Sequence, residues 1–137
     1  SCTGGRIAEL ITSVPGSSDY FQGAVVAYDN RVKEGVLKVK SESLLKHGAV
    51  SETVALEMAQ GVRDLMQTDF AVATTGVAGP GGGSEEKPVG TVWIAVAGPM
   101  GAKARRYQFG NHRGRNIQRS ALMALDRLRK EVQKIDI

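Results

Sequence analysis

Short apolar runs alternate with amphipathic helical stretches along this chain, and this alternation constrains its fold more than any other feature. Three mostly apolar runs, at 23–28, 70–75 and 91–97, have the length and composition of buried strands. A fourth run at 103–109 alternates polar and apolar residues, which predicts a strand at or near a sheet edge. Strands mixed with helices predict the α/β class, as a three-layer α/β/α sandwich with a mixed sheet.

Five helices are predicted from apolar spacing and from residues that favour helix ends. Thr3 is the expected N-cap of the first helix, Asp29 or Asn30 that of the second, and Ser51 that of a longer one. The predicted helices span 4–14, 31–35, 41–47, a stretch that begins after Ser51, and 113–134.

Composition limits the classes of protein to which the chain can belong. Of its 137 residues, 42% are apolar and 23% charged, so 1–137 is predicted to be one globular domain. A net charge of +4 and an aromatic content of 5% are too low to indicate nucleic-acid binding. No apolar run approaches the ~20 residues of a membrane-spanning helix. The single cysteine excludes an internal disulfide, and we expect a cytoplasmic location.

Glycine is over-represented, with 17 residues, and the excess is clustered in a loop at 76–90 that follows a predicted strand. The loop lacks Gly-Lys-Ser/Thr, so it is not a Walker A motif, and Ser84 interrupts any dinucleotide fingerprint. We interpret it as a substrate loop whose backbone approaches a ligand such as a phosphate, with a flexible hairpin connection as the alternative. The candidate ligand-binding glycines are Gly76, Gly79, Gly81 and Gly82.

A second glycine cluster opens the chain, as Ser-Cys-Thr-Gly-Gly before the first helix. Ser1 is a candidate nucleophile, and the amides of Thr3, Gly4 and Gly5 are candidate donors to an oxyanion. An ordinary capped helix start, or Cys2 as the nucleophile, remains an alternative interpretation.

Two further segments carry groups suited to chemistry on an anionic substrate. Tyr28 ends a predicted strand, and Lys33 is expected in the first turn of the next helix, where the helix dipole lowers the pKa of a lysine. A general base requires this direction of shift. Arg113 and Arg115 precede the last helix and suit a phosphate or carboxylate. The alternatives are a solvated surface lysine and a tyrosine packed by its ring, and for the two arginines a solvated basic helix start.

No metal or cofactor is expected. His47 and His112 are isolated, and no His, Cys, Asp or Glu cluster has the spacing of metal ligands.

Taken in order, these motifs resemble the C-terminal domain family of the competence/damage-inducible protein CinA. Each motif alone is weak, but the ordered set spans nearly all of the chain. The set comprises Ser-Cys-Thr-Gly-Gly at 1–5, Pro-Gly-Ser-Ser at 15–18, Tyr28 with Lys33, His-Gly-Ala-Val-Ser-Glu at 47–52, Thr-Gly-Val-Ala-Gly-Pro-Gly-Gly-Gly at 75–83 and Lys-Pro-Val-Gly at 87–90.

The family includes a stand-alone bacterial nicotinamide mononucleotide (NMN) deamidase. The resemblance therefore implies an amidohydrolase that converts NMN and water into nicotinate mononucleotide and ammonia. By position, it implies Ser1 as the nucleophile, Lys33 as the base, Tyr28 as an assisting hydrogen-bond partner and Ser18 as a further active-site hydroxyl.

The family's Gly-Asp-Arg motif before the last helix is replaced here by Asn111-His112-Arg113. Arg113 is the implied counterpart of its arginine, and Arg115 is the other candidate. A ribose 5′-phosphate would suit the glycine loop and this arginine.

Two other functions stay open. The chain would alternatively be a non-catalytic nucleotide-binding or regulatory module of a larger competence-associated protein, or Ser1 would be an N-terminal nucleophile whose own amine is the base. Because family members carry a strand and a helix before the serine, we expect both to be missing from this chain. We also expect self-association into a dimer or higher oligomer, and fusion to an N-terminal nucleotide-processing domain is possible.

Overall fold

The computed structural model describes residues 1–135, so the last two residues of the predicted domain lie outside the described residues. In chain order the elements are α1 (Arg6–Thr12), a 3-10 helix (Ser17–Asp19), α2 (Asn30–Gly35), α3 (Ser41–His47), α4 (Glu52–Met66), β1 (Ala71–Gly76), β2 (Thr91–Gly98), β3 (Gly101–Gln108) and α5 (Arg113–Ile135). Within residues 1–135, none of the helices has the length and apolar character needed to cross a membrane.

The predicted α/β class is confirmed. The sheet has the order β1-β2-β3, and both pairings are antiparallel, with Ala73 opposite Ala95 and Ala95 opposite Ala104. The mixed character expected for the sheet is therefore not seen among residues 1–135. β3 lies at an edge of this sheet, as its polar alternation predicts.

Helices cover both faces of the sheet. Successive residues of β2 point to opposite faces, and the apolar side chains on each face pack against a helix. Ala95 and Ala97 pack with Val54 and Met58 of α4 in one core. Val92 and Ile94 on the other face pack with Ala124 of α5, and α1 lies against α5 on that side. Val54 and Val92 are fully buried, and complete burial of such a side chain contributes about 1.5–3 kcal/mol to stability.

The prediction of a paired strand at 23–28 is wrong for the described residues. The segment is extended, and its burial alternates, with Val25 and Ala27 inward and Val26 and Tyr28 exposed. It forms no ladder with β1, β2 or β3. Its apolar pattern thus specifies the extended conformation, but a strand also requires a hydrogen-bonded neighbour.

Side-chain caps of the expected kind begin two of the helices, α2 and α4. The Asp29 side chain accepts from the Arg31 amide, and the Ser51 hydroxyl accepts from the Val54 amide. Thr3 does not cap α1, contrary to the prediction. Gly5 occupies that position with a left-handed φ of +97°, which leaves the Thr3 hydroxyl free for another partner.

Candidate active site

The first turn of the chain is attached to the end of β1. The main-chain nitrogen of Ser1 donates to the Thr74 carbonyl, and the two hydroxyls of Thr3 and Thr74 are 3.2 Å apart. The Ser1 hydroxyl donates to the Thr75 hydroxyl at 3.4 Å, which itself donates to the Ala49 carbonyl at 2.8 Å. Two buried threonines therefore fix Ser1 and Thr3 at one end of the sheet.

Left-handed glycines shape the backbone next to Ser1. Gly4 has φ +56° and Gly5 φ +97°, values that residues with a Cβ rarely adopt. Within the described residues, the amides of Thr3 and Gly5 have no hydrogen-bond partner, whereas the Gly4 amide donates to the Ser1 carbonyl at 3.3 Å. Two of the three amides predicted as oxyanion donors are therefore unoccupied, and the third is used within the turn.

Lys33 is buried, with only 2% of its surface exposed. Its Nζ donates to the Tyr28 carbonyl at 3.3 Å, and no carboxylate forms an ion pair with it among residues 1–135. Burial lowers the pKa of the Lys33 amine, and the charges of Asp29 and Cys2 act in the opposite direction. A Cβ at Gly5 would lie 3.6 Å from a methyl group of Val26, so the segment whose Tyr28 carbonyl holds the amine runs beside the first turn. The direction of the pKa shift is as predicted, but burial causes it and not the helix dipole.

Arg113 joins three parts of the site. Its Nη1 donates to the Gly79 carbonyl at 2.6 Å, and its Nη2 donates to the hydroxyl of Tyr28 at 3.3 Å. The Tyr28 ring is exposed, so this hydroxyl remains open to a ligand. The Arg115 side chain makes no such contact within the described residues, although its amide donates to Nδ1 of His112. The geometry thus favours Arg113 over Arg115 as the site arginine.

The loop at 77–90 is held by hydrogen bonds on both sides of its tip, which argues against a flexible connection. The Val77 amide donates to the Thr91 carbonyl at 2.9 Å, and the Gly90 amide donates to the Val77 carbonyl at 2.8 Å. Side chains hold it as well, because Lys87 donates to the carbonyl of His47 at 2.5 Å. Arg106 donates to the Glu86 carbonyl and Gln108 to the Val89 carbonyl.

The four glycines predicted to bind substrate fall into two groups. A Cβ at Gly76 would lie 2.7 Å from the Thr91 carbonyl oxygen, and one at Gly79 would lie 2.4 Å from a methyl group of Val89. Close packing explains these two. Gly81 and Gly82 are exposed, and a Cβ at either would meet nothing closer than 3.8 Å. Only these two leave open space at the surface of the loop.

Ser18 lies apart from this arrangement. It is exposed in the 3-10 helix Ser17–Asp19, and its hydroxyl contacts none of the other predicted site residues through a hydrogen bond within residues 1–135. The buried hydroxyl of that helix belongs to Ser17.

Cys2 is poorly suited to the alternative role of nucleophile. It packs in the core beneath the turn with Val92 and Ala124. Burial raises the pKa of its thiol, which keeps the thiolate population small near neutral pH.

Thr74, Thr75 and Lys87 contact the site although no sequence motif predicts a role for them. Both threonines are at most 2% exposed and contact the first turn. Two adjacent threonines at the end of an otherwise apolar run were the available signal, because a buried hydroxyl requires a partner.

Metal-ligating side chains are not grouped in the described part of the chain. No set of three or more His, Cys, Asp or Glu residues there could hold a metal ion.

The model of the CinA C-terminal domain family matches residues 1–132. The chain belongs to this family. A CinA-like protein from Amoebophilus asiaticus is 51% identical over 133 residues, which cover 97% of this chain and 32% of that protein. A CinA-like protein from Gloeobacter violaceus is 52% identical over 134 residues, with 96% and 32% covered. The chain thus spans about a third of the length of the curated relatives that it matches.

Solved structures of CinA proteins share this fold. The competence/damage inducible protein CihA from Agrobacterium tumefaciens superposes with a TM-score of 0.91 at 42% identity, over 93% of this chain and 79% of that one. The competence damage-inducible protein A (ComA) from Klebsiella pneumoniae gives 0.92 at 32% identity, over 97% and 83%. The layered α/β arrangement is therefore that of the CinA superfamily.

Proposed function

We propose that this domain is a cytoplasmic amidohydrolase that converts NMN and water into nicotinate mononucleotide and ammonia. Lys33 is the observation that carries the proposal. Among residues 1–135 it is a buried lysine without a carboxylate partner, and burial lowers its pKa. Its amine is held by the Tyr28 carbonyl, in a segment that runs beside the glycine-rich turn. An uncharged amine beside a hydroxyl is the arrangement that a serine–lysine hydrolase requires.

In the proposed reaction, the neutral Lys33 amine takes the proton from the Ser1 hydroxyl as its oxygen attacks the carboxamide carbon. The resulting oxyanion accepts hydrogen bonds from the unoccupied Thr3 and Gly5 amides. The Lys33 ammonium returns the proton to the leaving nitrogen, and ammonia departs. Water then hydrolyses the acyl ester with the same lysine as base, which yields the carboxylate and restores Ser1.

Lys33 donates to the Tyr28 carbonyl in this structure, so it must turn towards Ser1 when substrate binds. Such hydrogen bonds often tighten only in the substrate complex. Tyr28 supplies that carbonyl, and its hydroxyl accepts from Arg113. It therefore connects the proposed base to the proposed anion-binding arginine.

The substrate's 5′-phosphate is assigned to Arg113 and the open surface at Gly81 and Gly82. The guanidinium presents several fixed donors that match phosphate oxygens. It is exposed, and its present partners are a carbonyl and a hydroxyl, which leaves its positive charge without an anion.

Ammonia release from NMN by the protein with its native N-terminus, without added metal, tests the proposal. Ser1→Ala and Lys33→Ala are each expected to lower turnover by at least ~10³-fold while the circular dichroism spectrum is retained, because members of a catalytic unit fail together. Thermal stabilisation of the folded wild type by NMN without any turnover would refute the hydrolase and favour the regulatory-module alternative. Near-normal turnover in Lys33→Ala would remove this lysine from the mechanism.

A further inference from the structure

One buried side chain holds the start of the loop at 77–90. Asn116 lies in the first turns of α5 and is 1% exposed. Its Nδ2 donates to the Ala78 carbonyl at 3.0 Å and to the Gly110 carbonyl at 2.9 Å. Because both acceptors are carbonyl oxygens, only the NH₂ end of the amide can face them, which fixes its orientation.

The two carbonyls belong to segments that are far apart in the chain. Ala78 follows β1 at the start of the loop, whereas Gly110 lies between β3 and α5. Asn116 therefore fastens the loop to the beginning of α5. Arg113, one turn earlier on the same helix, donates to the next loop carbonyl, that of Gly79.

The oxygen end of the Asn116 amide indicates that this residue is present for its NH₂ group. Its Oδ1 is buried and has no hydrogen-bond partner among residues 1–135. An unpaired buried oxygen is unfavourable, yet an aliphatic side chain here would leave two buried carbonyls without their donor. Asn116 thus leaves its own Oδ1 unpaired, while its Nδ2 fixes the positions of the Ala78 and Gly110 segments.

We propose that Asn116 is a positioning residue for the recognition of the substrate's phosphate, an inference that rests on the proposed function. It holds the loop and the start of α5 in the register that places Arg113 beside both Gly79 and Tyr28. Loss of its donors releases the Ala78 segment, so the guanidinium and the loop surface at Gly81 no longer converge on one anion. The chemistry at Ser1 and Lys33 lies on other elements and is not directly altered.

Two variants test this role, with NMN as substrate. Asn116→Ala removes both donors without adding charge, and Asn116→Asp removes them and places oxygen against two carbonyl oxygens. For each we expect KM to rise about tenfold, equivalent to about 1.4 kcal/mol, while kcat falls less than about threefold. Gln133→Glu adds the same charge at an exposed position near the other end of α5 and should leave KM within about threefold.

Hydrogen exchange gives a second readout that requires no turnover. The amides of Val77 and Gly90, which hold the two ends of the loop to Thr91 and to Val77, should exchange at least about tenfold faster in both Asn116 variants, while those of α4 remain unchanged. Glu-C protease should also cut faster after Glu85 or Glu86. If Asn116→Asp does not fold, the neutral Ala variant decides the question.

The proposal is overturned if KM is unchanged, if kcat falls as far as kcat/KM, or if loop exchange matches the wild type. A wild type without turnover would refute the proposed function instead. The Kd for NMN then replaces KM, and an Asn116→Ala variant that binds as tightly as the wild type overturns the positioning role.

Discussion

Replacing Lys33 by methionine should make the protein more stable and inactive at the same time. Transferring an ammonium from water to the interior costs several kcal/mol when no anion compensates it. Lys33 is 2% exposed, and its Nζ has a carbonyl partner at 3.3 Å instead of a carboxylate. Methionine keeps a similar unbranched stem and loses that hydrogen bond, which for a charged donor contributes about 1.5–3 kcal/mol at good geometry and less at this length.

The balance favours Lys33→Met by about 1–2 kcal/mol near neutral pH, because the desolvation cost removed exceeds the hydrogen bond lost. For a domain of this size, that corresponds to a rise in Tm of about 3–10 °C. Turnover of NMN should fall by at least ~10³-fold, since no base remains. Differential scanning calorimetry and ammonia release measure the two effects. Lys46→Met, at an exposed lysine of α3, should change neither quantity appreciably.

The pH dependence of stability tests independently whether burial of the Lys33 charge destabilises the folded protein. Because burial lowers the pKa of Lys33 in the folded state, the folded protein releases this proton before the unfolded chain does, so stability rises with pH between the two values. The penalty is complete below the folded pKa and vanishes above the unfolded pKa of about 10.4. The advantage of Lys33→Met should therefore shrink as the pH rises towards 10. A variant less stable than the wild type at pH 7, or an advantage that grows with pH, would refute this account of Lys33.

Two further comparisons use matched positions. Arg113→Ala should raise KM for NMN by at least about tenfold, because it removes a charge-assisted hydrogen bond to the phosphate that contributes roughly 1.5–3 kcal/mol. Arg115→Ala should change KM less than about threefold. Steady-state kinetics at constant ionic strength would measure both. Gly61→Ala should destabilise the protein by more than about 2 kcal/mol, because its Cβ would lie 1.9 Å from the Leu37 carbonyl oxygen. Gly35→Ala has open space around the added Cβ, so it should be neutral or stabilise the protein by up to about 1 kcal/mol. Urea unfolding would rank the two, and equal stabilities would contradict the packing argument.

Local signals in the sequence predict most of the helices and strands because the interactions that define them are themselves local. The predicted bounds of α3 match the structure, and Ser51 caps α4 as expected. The segment at 23–28 shows the limit of this reasoning. Its apolar alternation predicts an extended chain that buries Val25 and Ala27, and the structure has one. Pairing depends on a neighbouring strand, which the residues of the segment do not encode.

The site was less predictable because it is assembled by contacts between distant segments. The resemblance to a family selects Ser1, Lys33 and Arg113, but nothing in their spacing shows that Thr75 would hold the serine. Glycine content was also an ambiguous signal. Gly76 is required by the backbone of β2, whereas Gly81 faces open space, and both read alike in the sequence.

The unfavourable features around the site support a functional interpretation more strongly than any single motif does. Within the described residues 1–135, a buried lysine lacks an anion and a buried amide oxygen lacks a donor, and both lower stability. An apolar residue at position 33 would avoid the first cost, whereas one at position 116 would leave the Ala78 and Gly110 carbonyls without their donor. Lys33 and Asn116 lie on different helices, yet both are linked to Tyr28, the first through its carbonyl and the second through Arg113 on the same helix. Two such departures from the rules of stability, one bonded to the Tyr28 carbonyl and one on the helix that supplies Arg113, are expected where a protein binds or transforms a ligand. If so, Lys33→Met and Asn116→Ala should impair NMN turnover through different constants, the first through kcat and the second through KM.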